Sequence, residues 1–231
     1  MEHIDNVKGT FEMKTQANSK PNVSDAVIKR LPRYHRYLGD LLADGRLRIS
    51  SAELSKIMNV TASQIRQDLN CFGGFGQQGV GYSVDLLHEE IEKLLFPEGK
   101  QRAILLGAGT MGITVADFVI KENTGVELVA VFDNDKALIG NKLFGLEILS
   151  MDNFVEFCQQ ERVDIIIACT TKDVAQQLAP KIIETGVKGI WNYSHFDFTV
   201  YDETMIVENV HLRDSLMALS YRVSHKNKLQ E

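Results

Sequence analysis

The sequence runs to 231 residues, 44% hydrophobic and 24% charged, with a formal net charge of −6. That length holds one large domain or two modest ones, with the composition of an ordinary globular protein. No apolar run approaches the ~18–20 residues that span a bilayer. The N-terminus has mixed charges without a signal peptide's apolar core, so membrane and secreted classes are excluded and a cytoplasmic protein is expected.

Residues 1–22 are polar and aperiodic and read as a disordered leader, with Met13 a candidate native start. Ser24 is placed to cap a helix through Val27, Leu31, Tyr34, Leu38 and Leu41, which recur at helical spacing; Pro32 either kinks that run or marks its true start. Ser50 with Glu53 forms a capping-box pattern opening a second helix over 52–58, and Thr61 with Gln64 repeats it for a third over 62–71. Two short capped helices joined by Asn59-Val60 are the outline of a helix-turn-helix. The third helix keeps Ile65, Leu69 and Phe72 on one side and leaves Ser63, Gln64, Arg66, Gln67 and Asn70 free for a partner. The glycine-rich stretch 73–82 predicts a β-hairpin wing. Helical periodicity returns over 85–96, and the break at Pro97 is the expected domain boundary.

Beyond it, strands and helices alternate. Strands are expected at 102–106, 126–132, 163–169 and 189–193, with a short one in the excursion through Gly140 and Gly145. Helices are expected at 111–121, 152–161 and 173–184. Residues 198–207 read as a further strand, followed by a helix over 212–223 and a basic tail. Apolar strands alternating with helices imply a parallel sheet covered on both faces. The predicted architecture is α/β: a winged helix-turn-helix over 23–97, a Rossmann-type doubly wound parallel sheet over 98–210, and a C-terminal helix and tail over 211–231.

The charge is unevenly spread. Residues 20–84 carry +4 and residues 85–231 carry −9, so a basic module is joined to an acidic one. In the basic module Arg66 and Gln67 stand where a recognition helix reaches base edges, arginine suiting guanine and glutamine adenine. Thr61, Ser63, Gln64, Gly79 and Tyr82 belong to the same candidate surface. Arg46, Arg48 and Lys56 are better placed for phosphates, which fix register without reading sequence. Double-stranded DNA is the partner this module predicts, against a plain helical interaction domain.

In the acidic module, Gly107, Ala108, Gly109, Thr110, Met111 and Gly112 spell GxGxxG. It follows a buried strand, opens a helix, and has Asp133 about 20 residues on, the context a dinucleotide site requires. The first glycine makes the turn, the second admits the pyrophosphate, and the third packs helix on strand. Asp133 can accept both ribose hydroxyls and repel a 2′-phosphate, favouring NAD(H) over NADP(H). Thr170 and Thr171, and then Asn192 and Tyr193, follow strand ends at the same crevice and are candidates for the ribose–nicotinamide half. After Tyr193 only 38 residues remain, too few for a substrate domain. His195 and His211 are the histidines near the crevice, and His195 reads as a surface-loop residue. No catalytic residue and no enzyme activity are expected. Nor is a metal site: Cys71, Cys158 and Cys169 have no ligand spacing, and the last two read as small buried hydrophobes. The competing readings are a small NAD-dependent oxidoreductase and a scaffold related to CoA-binding Rossmann domains.

From Val23 to Val223 the chain resembles the Rex family, the NAD(H)-sensing redox repressors of bacteria. The likeness rests on V-T-A-S-Q-I-R-Q-D-L at 60–69, G-V-G-Y at 79–82, the glycine motif, N-Y-S at 192–194 and V-E-N-V at 207–210. It implies a homodimer on a palindromic operator, with the C-terminal helix exchanged between subunits. It also implies release of DNA on NADH binding, NAD+ competing without that effect. The resemblance further implies a signalling role for Arg36, matched with positions 118 and 211. Here Phe118 stands where the family has tyrosine and His211 where it has aspartate, so the usual pairing cannot form, and Asp214 is the candidate substitute partner. Gln67 and Gln77-Gln78 stand where basic residues are common, which implies fewer phosphate contacts and a shallower salt dependence.

Overall fold

The structure is a computed structural model that describes residues 24–71, 76–77, 81–97, 99–122, 124–200 and 202–225, with backbone alone at 76–77. The expected leader, the first part and tip of the wing, and the basic tail lie outside the described residues. The chain divides into two units, one ending at Pro97 and the other beginning at Glu98.

The first unit begins with α1 (Asp25–Ile28) and α2 (Leu31–Ala43), in which Pro32 falls in the opening turn. Pro32 therefore marks a helix start, where its missing N–H costs nothing. Strand β1 (Arg48–Ile49) leads to α3 (Ser51–Met58) and α4 (Ala62–Asn70). Ser50 and Glu53 form the reciprocal capping box. At α4 only half of the expected box forms: Thr61 Oγ1 accepts from Gln64 N, but the Gln64 side chain turns to Asp68 instead. Asn59, in the left-handed region at φ 52°, makes the tight turn between α3 and α4. The wing strands β2 (Gly76–Gln77) and β3 (Gly81–Ser83) pair antiparallel, and β3 also pairs with β1. Gly81 has φ +78°, and a Cβ there would stand 2.7 Å from the Ile49 carbonyl oxygen, so glycine is required. Helix α5 (Val84–Leu95) packs along α2 and closes the unit.

One core holds these elements together: Tyr34 and Leu38 of α2, Leu54 and Met58 of α3, Ile65 and Leu69 of α4, and Leu87 and Ile91 of α5. Inside it is a carboxylate that the amphipathic pattern does not reveal. Asp68 is fully buried. It accepts from Arg30 Nε at 2.7 Å and Nη2 at 2.8 Å, from Tyr34 Oη at 2.9 Å and from Gln64 Nε2 at 2.8 Å. The start of α2 is thereby locked to the middle of α4.

The second unit is a doubly wound sheet. Its strands are β4 (Gln101–Leu106), β5 (Val126–Asp133), β6 (Lys142–Leu143), β7 (Leu146–Ser150), β8 (Ile165–Ala168), β9 (Gly189–Asn192) and β10 (Ile206–Asn209). Among the described residues the order is β10-β9-β8-β4-β5-β7-β6, parallel except for the β6–β7 hairpin. Helix α6 (Thr110–Lys121) covers one face; α7 (Phe154–Gln160) and α8 (Lys172–Glu184) cover the other. Two expectations need correction. The helix expected over 152–161 opens as a 3-10 turn at Met151–Asn153. The strand expected over 198–207 is a 3-10 turn at Phe198–Val200, and pairing begins only at Ile206. In both places a continuous apolar pattern spans side chains that fill the core from irregular backbone. Helix α9 (Leu212–Ser224) ends the described chain and buries none of its residues.

Burial pushes the Asp68 pKa up, but the bonds from Arg30, Gln64 and Tyr34 outweigh it and hold the carboxyl below its ordinary value. A depressed folded-state pKa means that the stabilisation is fully present above the unfolded value, about 4, and is lost as pH falls through the folded one. Asp68→Asn is expected to cost about 3 kcal/mol at pH 7, the low end for breaking a buried ion pair, since Arg30 keeps 22% exposure. Urea unfolding of the first unit checks this. The gap between variant and parent narrows in acid, and a loss below about 0.5 kcal/mol, ordinary for a surface site, would contradict the assignment.

Candidate functional site

The order in which strands are added reverses between β4 and β8, and ligands of doubly wound folds bind in the crevice outside the strand carboxyl ends at such a switch point. The glycine motif leaves β4 there, and Cys169-Thr170-Thr171 leaves β8. Each motif glycine has a separate job. Gly107 has φ +98°, and a Cβ on it would meet the Cys169 carbonyl oxygen at 2.7 Å. At Gly112 a Cβ would stand 1.8 Å from the Gly107 carbonyl oxygen, so α6 rests directly on the turn. Gly109 has nothing within 4 Å of a built Cβ. It is the N-cap of α6 and makes no side-chain capping bond. A close-packed turn, an open glycine and a helix N-terminus together suit an anionic group.

Around this loop the other predicted residues divide. Ala108 is buried, and its amide donates to Asp133 Oδ2 at 2.6 Å; Asp133 Oδ1 accepts from Asp135 N at 2.8 Å. The carboxylate at the end of β5 thus braces the loop, and each oxygen can accept a second hydrogen bond. Thr110 and Met111 are exposed in the first turn of α6. Thr170 Oγ1 is buried and has no hydrogen-bond partner among the described residues. A polar atom buried in that state is costly unless a ligand satisfies it. Thr171 caps α8, its Oγ1 accepting from Val174 N at 3.5 Å. The motif glycines, the α6 N-terminus, Asp133 and Thr170 fit a dinucleotide.

Asn192 departs from expectation. Its side chain is fully buried and spent inside the fold: Nδ2 donates to the Phe196 carbonyl and to Asn209 Oδ1, each at 2.7 Å, and Oδ1 accepts from Ser194 N and Oγ. It braces β9 to β10 and the following turn, leaving no donor for a ligand. Tyr193 is half-buried and packs edge-on against Trp191 at 5.0 Å, with burial pushing its phenol up to about 12. Burial likewise raises the thiols of Cys158 to about 11 and Cys169 to about 12, which suits inert packing.

Of the residues singled out for signalling, Arg36 belongs to the first unit, and Phe118, His211 and Asp214 belong to the second. Arg36 is exposed on α2, its guanidinium 5.0 Å from the Tyr37 ring centre. Phe118 is 47% exposed on α6, 6.3 Å from the Trp191 ring. His211 is the N-cap of α9 and stacks on His195, the two Nδ1 atoms 3.0 Å apart. One ring donates to the other's lone pair, so His195 is the partner of His211 and not an idle loop residue; only their spacing in three dimensions reveals it. Asp214 is exposed in the first turn of α9. Among the described residues, the face of the sheet beside α6 is left open over β8, β9 and β10. An apolar trough of about 340 Å³ runs there, lined by Phe118, Ile165, Ile167, Trp191 and Ile206.

In the first unit, α4 exposes Thr61, Ser63, Arg66 and Gln67 on one surface, with Arg48 and Lys56 also exposed. Arg66 donates to Ser51 Oγ at 3.0 Å, and Arg46 pairs with Glu53 at 2.5 Å. Two candidates are corrected. Gln64 is half-buried with its amide committed to Asp68, and Tyr82 packs in the core at 9% exposure. Both side chains are committed to the fold of the unit rather than to its exposed surface. Gly79 lies outside the described residues.

Residues 22–70 match the family described as "Putative DNA-binding protein N-terminus", and residues 98–196 match the one described as "CoA binding domain". The redox-sensing transcriptional repressor Rex of Clostridioides difficile (strain 630) is 48% identical over 200 residues, 87% of this chain and 95% of its own length. The crystal structure of RSP with β-NAD+ and operator DNA is similar at 45% identity and TM-score 0.82, covering 91% of this chain and 97% of that one. The structure of RSP with β-NADH gives 42% identity and TM-score 0.81, covering 91% and 99%. With both units matched and nearly half the residues shared over most of its length, the chain belongs to the Rex family of redox-sensing transcriptional repressors.

Proposed function

We propose that this protein is a repressor that reads the NADH/NAD+ balance, binding a palindromic operator as a homodimer and releasing it when NADH binds. The observation that carries the reading is the crevice at the β4–β8 switch point, where, among the described residues, Gly109 is open and Thr170 Oγ1 has no hydrogen-bond partner, in a chain that also holds a helix-turn-helix. Rex relatives are named as repressors, and RSP has been solved with NAD+ and operator DNA, and with NADH. The match to a CoA-binding description reflects the nucleotide-binding fold that such domains share, and the relatives give no support to an enzyme.

In this reading residues 23–97 are the DNA-binding domain, 98–210 the NAD(H)-binding domain and 211–231 the exchanged helix and tail. The pyrophosphate lies over Gly109 at the α6 N-terminus, beside the amides of Thr110 and Met111, with Asp133 on the adenosine ribose and Thr170 on the nicotinamide half. Arg66, Gln67 and Ser63 face base edges; Arg48, Lys56 and Arg46 face phosphates. Arg46 must first leave Glu53, an exposed pair worth little. A second copy of the chain is the natural cover for α9. Leu212, Leu216, Met217, Leu219, Tyr221 and Val223 are each more than half exposed, and a 13-residue helix without packing is marginal. A DNA-bound regulator with free thiols and no disulfide among the described residues belongs in the cytoplasm.

For the switch to work, NADH must bind the DNA-incompetent arrangement of the dimer more tightly than the competent one. Anisotropy of a labelled palindromic duplex, enriched by selection against the protein, tests this. NADH is expected to raise the operator Kd at least tenfold, and NAD+ to reverse that by competition; an operator Kd indifferent to NADH would defeat the proposal. Two glycine substitutions test the site. Gly109→Ala adds a methyl group to open space at φ −71°. It should leave the unfolding free energy within the range of a neutral surface change, about ±0.5 kcal/mol, while NADH affinity falls tenfold or more. Gly112→Ala should unfold the second unit. NADH binding by Gly109→Ala equal to that of the parent would contradict the placement.

A further inference from the structure

Three metal-ligating side chains come together in the DNA-binding unit, and the function above uses none of them. His35 is on α2, and His88 and Glu92 are one turn apart on α5. One donor atom from each lies within 4.8 Å of those from the other two. The two imidazoles are stacked with ring centres 4.2 Å apart, and Phe96 stands edge-on to His35 at 6.1 Å. Nε2 of His35 is buried and has no hydrogen-bond partner among the described residues. A polar nitrogen in that state is costly unless something satisfies it. Gly39, one turn beyond His35 on α2, lies against the same imidazole: a Cβ there would stand 3.5 Å from His88 Nε2, an ordinary contact.

We propose that His35, His88 and Glu92 form a binding site for a divalent transition-metal ion, zinc above all, that clamps α2 to α5. Two imidazoles and a carboxylate are a borderline donor set suited to zinc, with bonds of about 2.0–2.2 Å. Two ligands of one ion then stand no more than roughly 4.2 Å apart, so modest side-chain rotations that tilt the stacked rings complete the shell. His88 and Glu92, at i and i+4, already share one face of α5, and α2 supplies the third ligand. A water or anion takes the fourth position, as in other three-ligand zinc sites. Burial and the neighbouring His88 lower the His35 pKa, with Glu92 acting in the opposite sense. The neutral imidazole, the form with a lone pair to give, is thereby favoured. The ion would bear on DNA recognition through α2, because Arg30 and Tyr34 of the same helix hold Asp68 of α4. No sequence motif announces the set, since 53 residues separate His35 from His88, and only the packing of α2 on α5 joins them.

The test uses the full chain, stripped with chelator and kept reduced. Zinc is titrated against a chromophoric competitor, Co2+ absorption reports the ligand geometry, and thermal unfolding is followed in parallel. The parent is expected to bind one equivalent of zinc per chain at this site, to give an intense visible Co2+ spectrum, and to melt several degrees higher with zinc. His88→Gln should abolish that equivalent and the melting shift. Glu92→Gln, a conservative change on a half-buried position, should weaken binding at least tenfold while the apo protein remains folded. A His195→Ala/His211→Ala double variant should keep the equivalent. The proposal is overturned if zinc fails to bind the parent at tens of micromolar, if Glu92→Gln and His88→Gln bind as the parent does, or if the His195/His211 variant loses the equivalent.

Discussion

Helix α6 lies so close to the end of β4 that any side chain at position 112 would overlap the carbonyl oxygen of Gly107. The ligand site follows from that contact. It points the α6 N-terminus at the switch point of the sheet, where unpaired amides and the helix dipole favour a phosphate. It turns the chain back sharply enough that Gly107 presses on the backbone leaving β8, bringing Thr170 to the loop. It also brings the Ala108 amide onto Asp133, so the carboxylate that would read a ribose is already oriented by the loop that would hold the pyrophosphate. Of the three motif glycines, only Gly109 is spared a structural duty, and that is where a ligand has room.

The DNA-binding unit has an analogous constraint in Asp68. A carboxylate on a helix that faces DNA would repel phosphate if exposed. Here it is buried and neutralised by Arg30, and Tyr34 and Gln64 complete its hydrogen bonds. The same bonds fix α4 against α2, and recognition helices tolerate little misplacement when two half-sites must be met together. The polar cluster thus orients α4, while Ser63, Arg66 and Gln67, the residues proposed to read bases, remain exposed. On the ligand side, α9 and the sheet face beside α6 present apolar surface that the described residues do not cover, which supports the proposed dimer.

Much of this was legible in the sequence because the signals were local. Ser50 and Glu53, three residues apart, announced the α3 start; the GxGxxG spacing announced the β4–α6 turn; and alternating apolar runs announced the parallel sheet. What escaped was set by contacts between distant residues. Asp68 carried no local signal of its burial because its partner Arg30 is 38 residues away. Gln64 and Tyr82 looked available for DNA because neither their helical nor their wing position shows that one is tied to Asp68 and the other fills the core. Asn192 looked like a ligand contact because it ends a strand at the crevice, yet Asn209 and the turn after it consume every donor it has. The stretch 198–207 looked like one strand because Phe198 and Met205 are both core residues, although the backbone between them is irregular.

Reciprocity between the two ligands is the sharpest consequence of a sensor, since an effector and a DNA site that are linked must weaken one another by the same factor. Trp191, on β9 at the open face beside α6, provides the signal: energy transfer from its indole to reduced nicotinamide reports NADH binding directly. The decisive measurement is the NADH Kd by that transfer with and without saturating operator duplex, set beside the operator Kd with and without NADH. The account predicts that both rise by one common factor of at least ten. An NADH affinity unchanged by bound operator would contradict it.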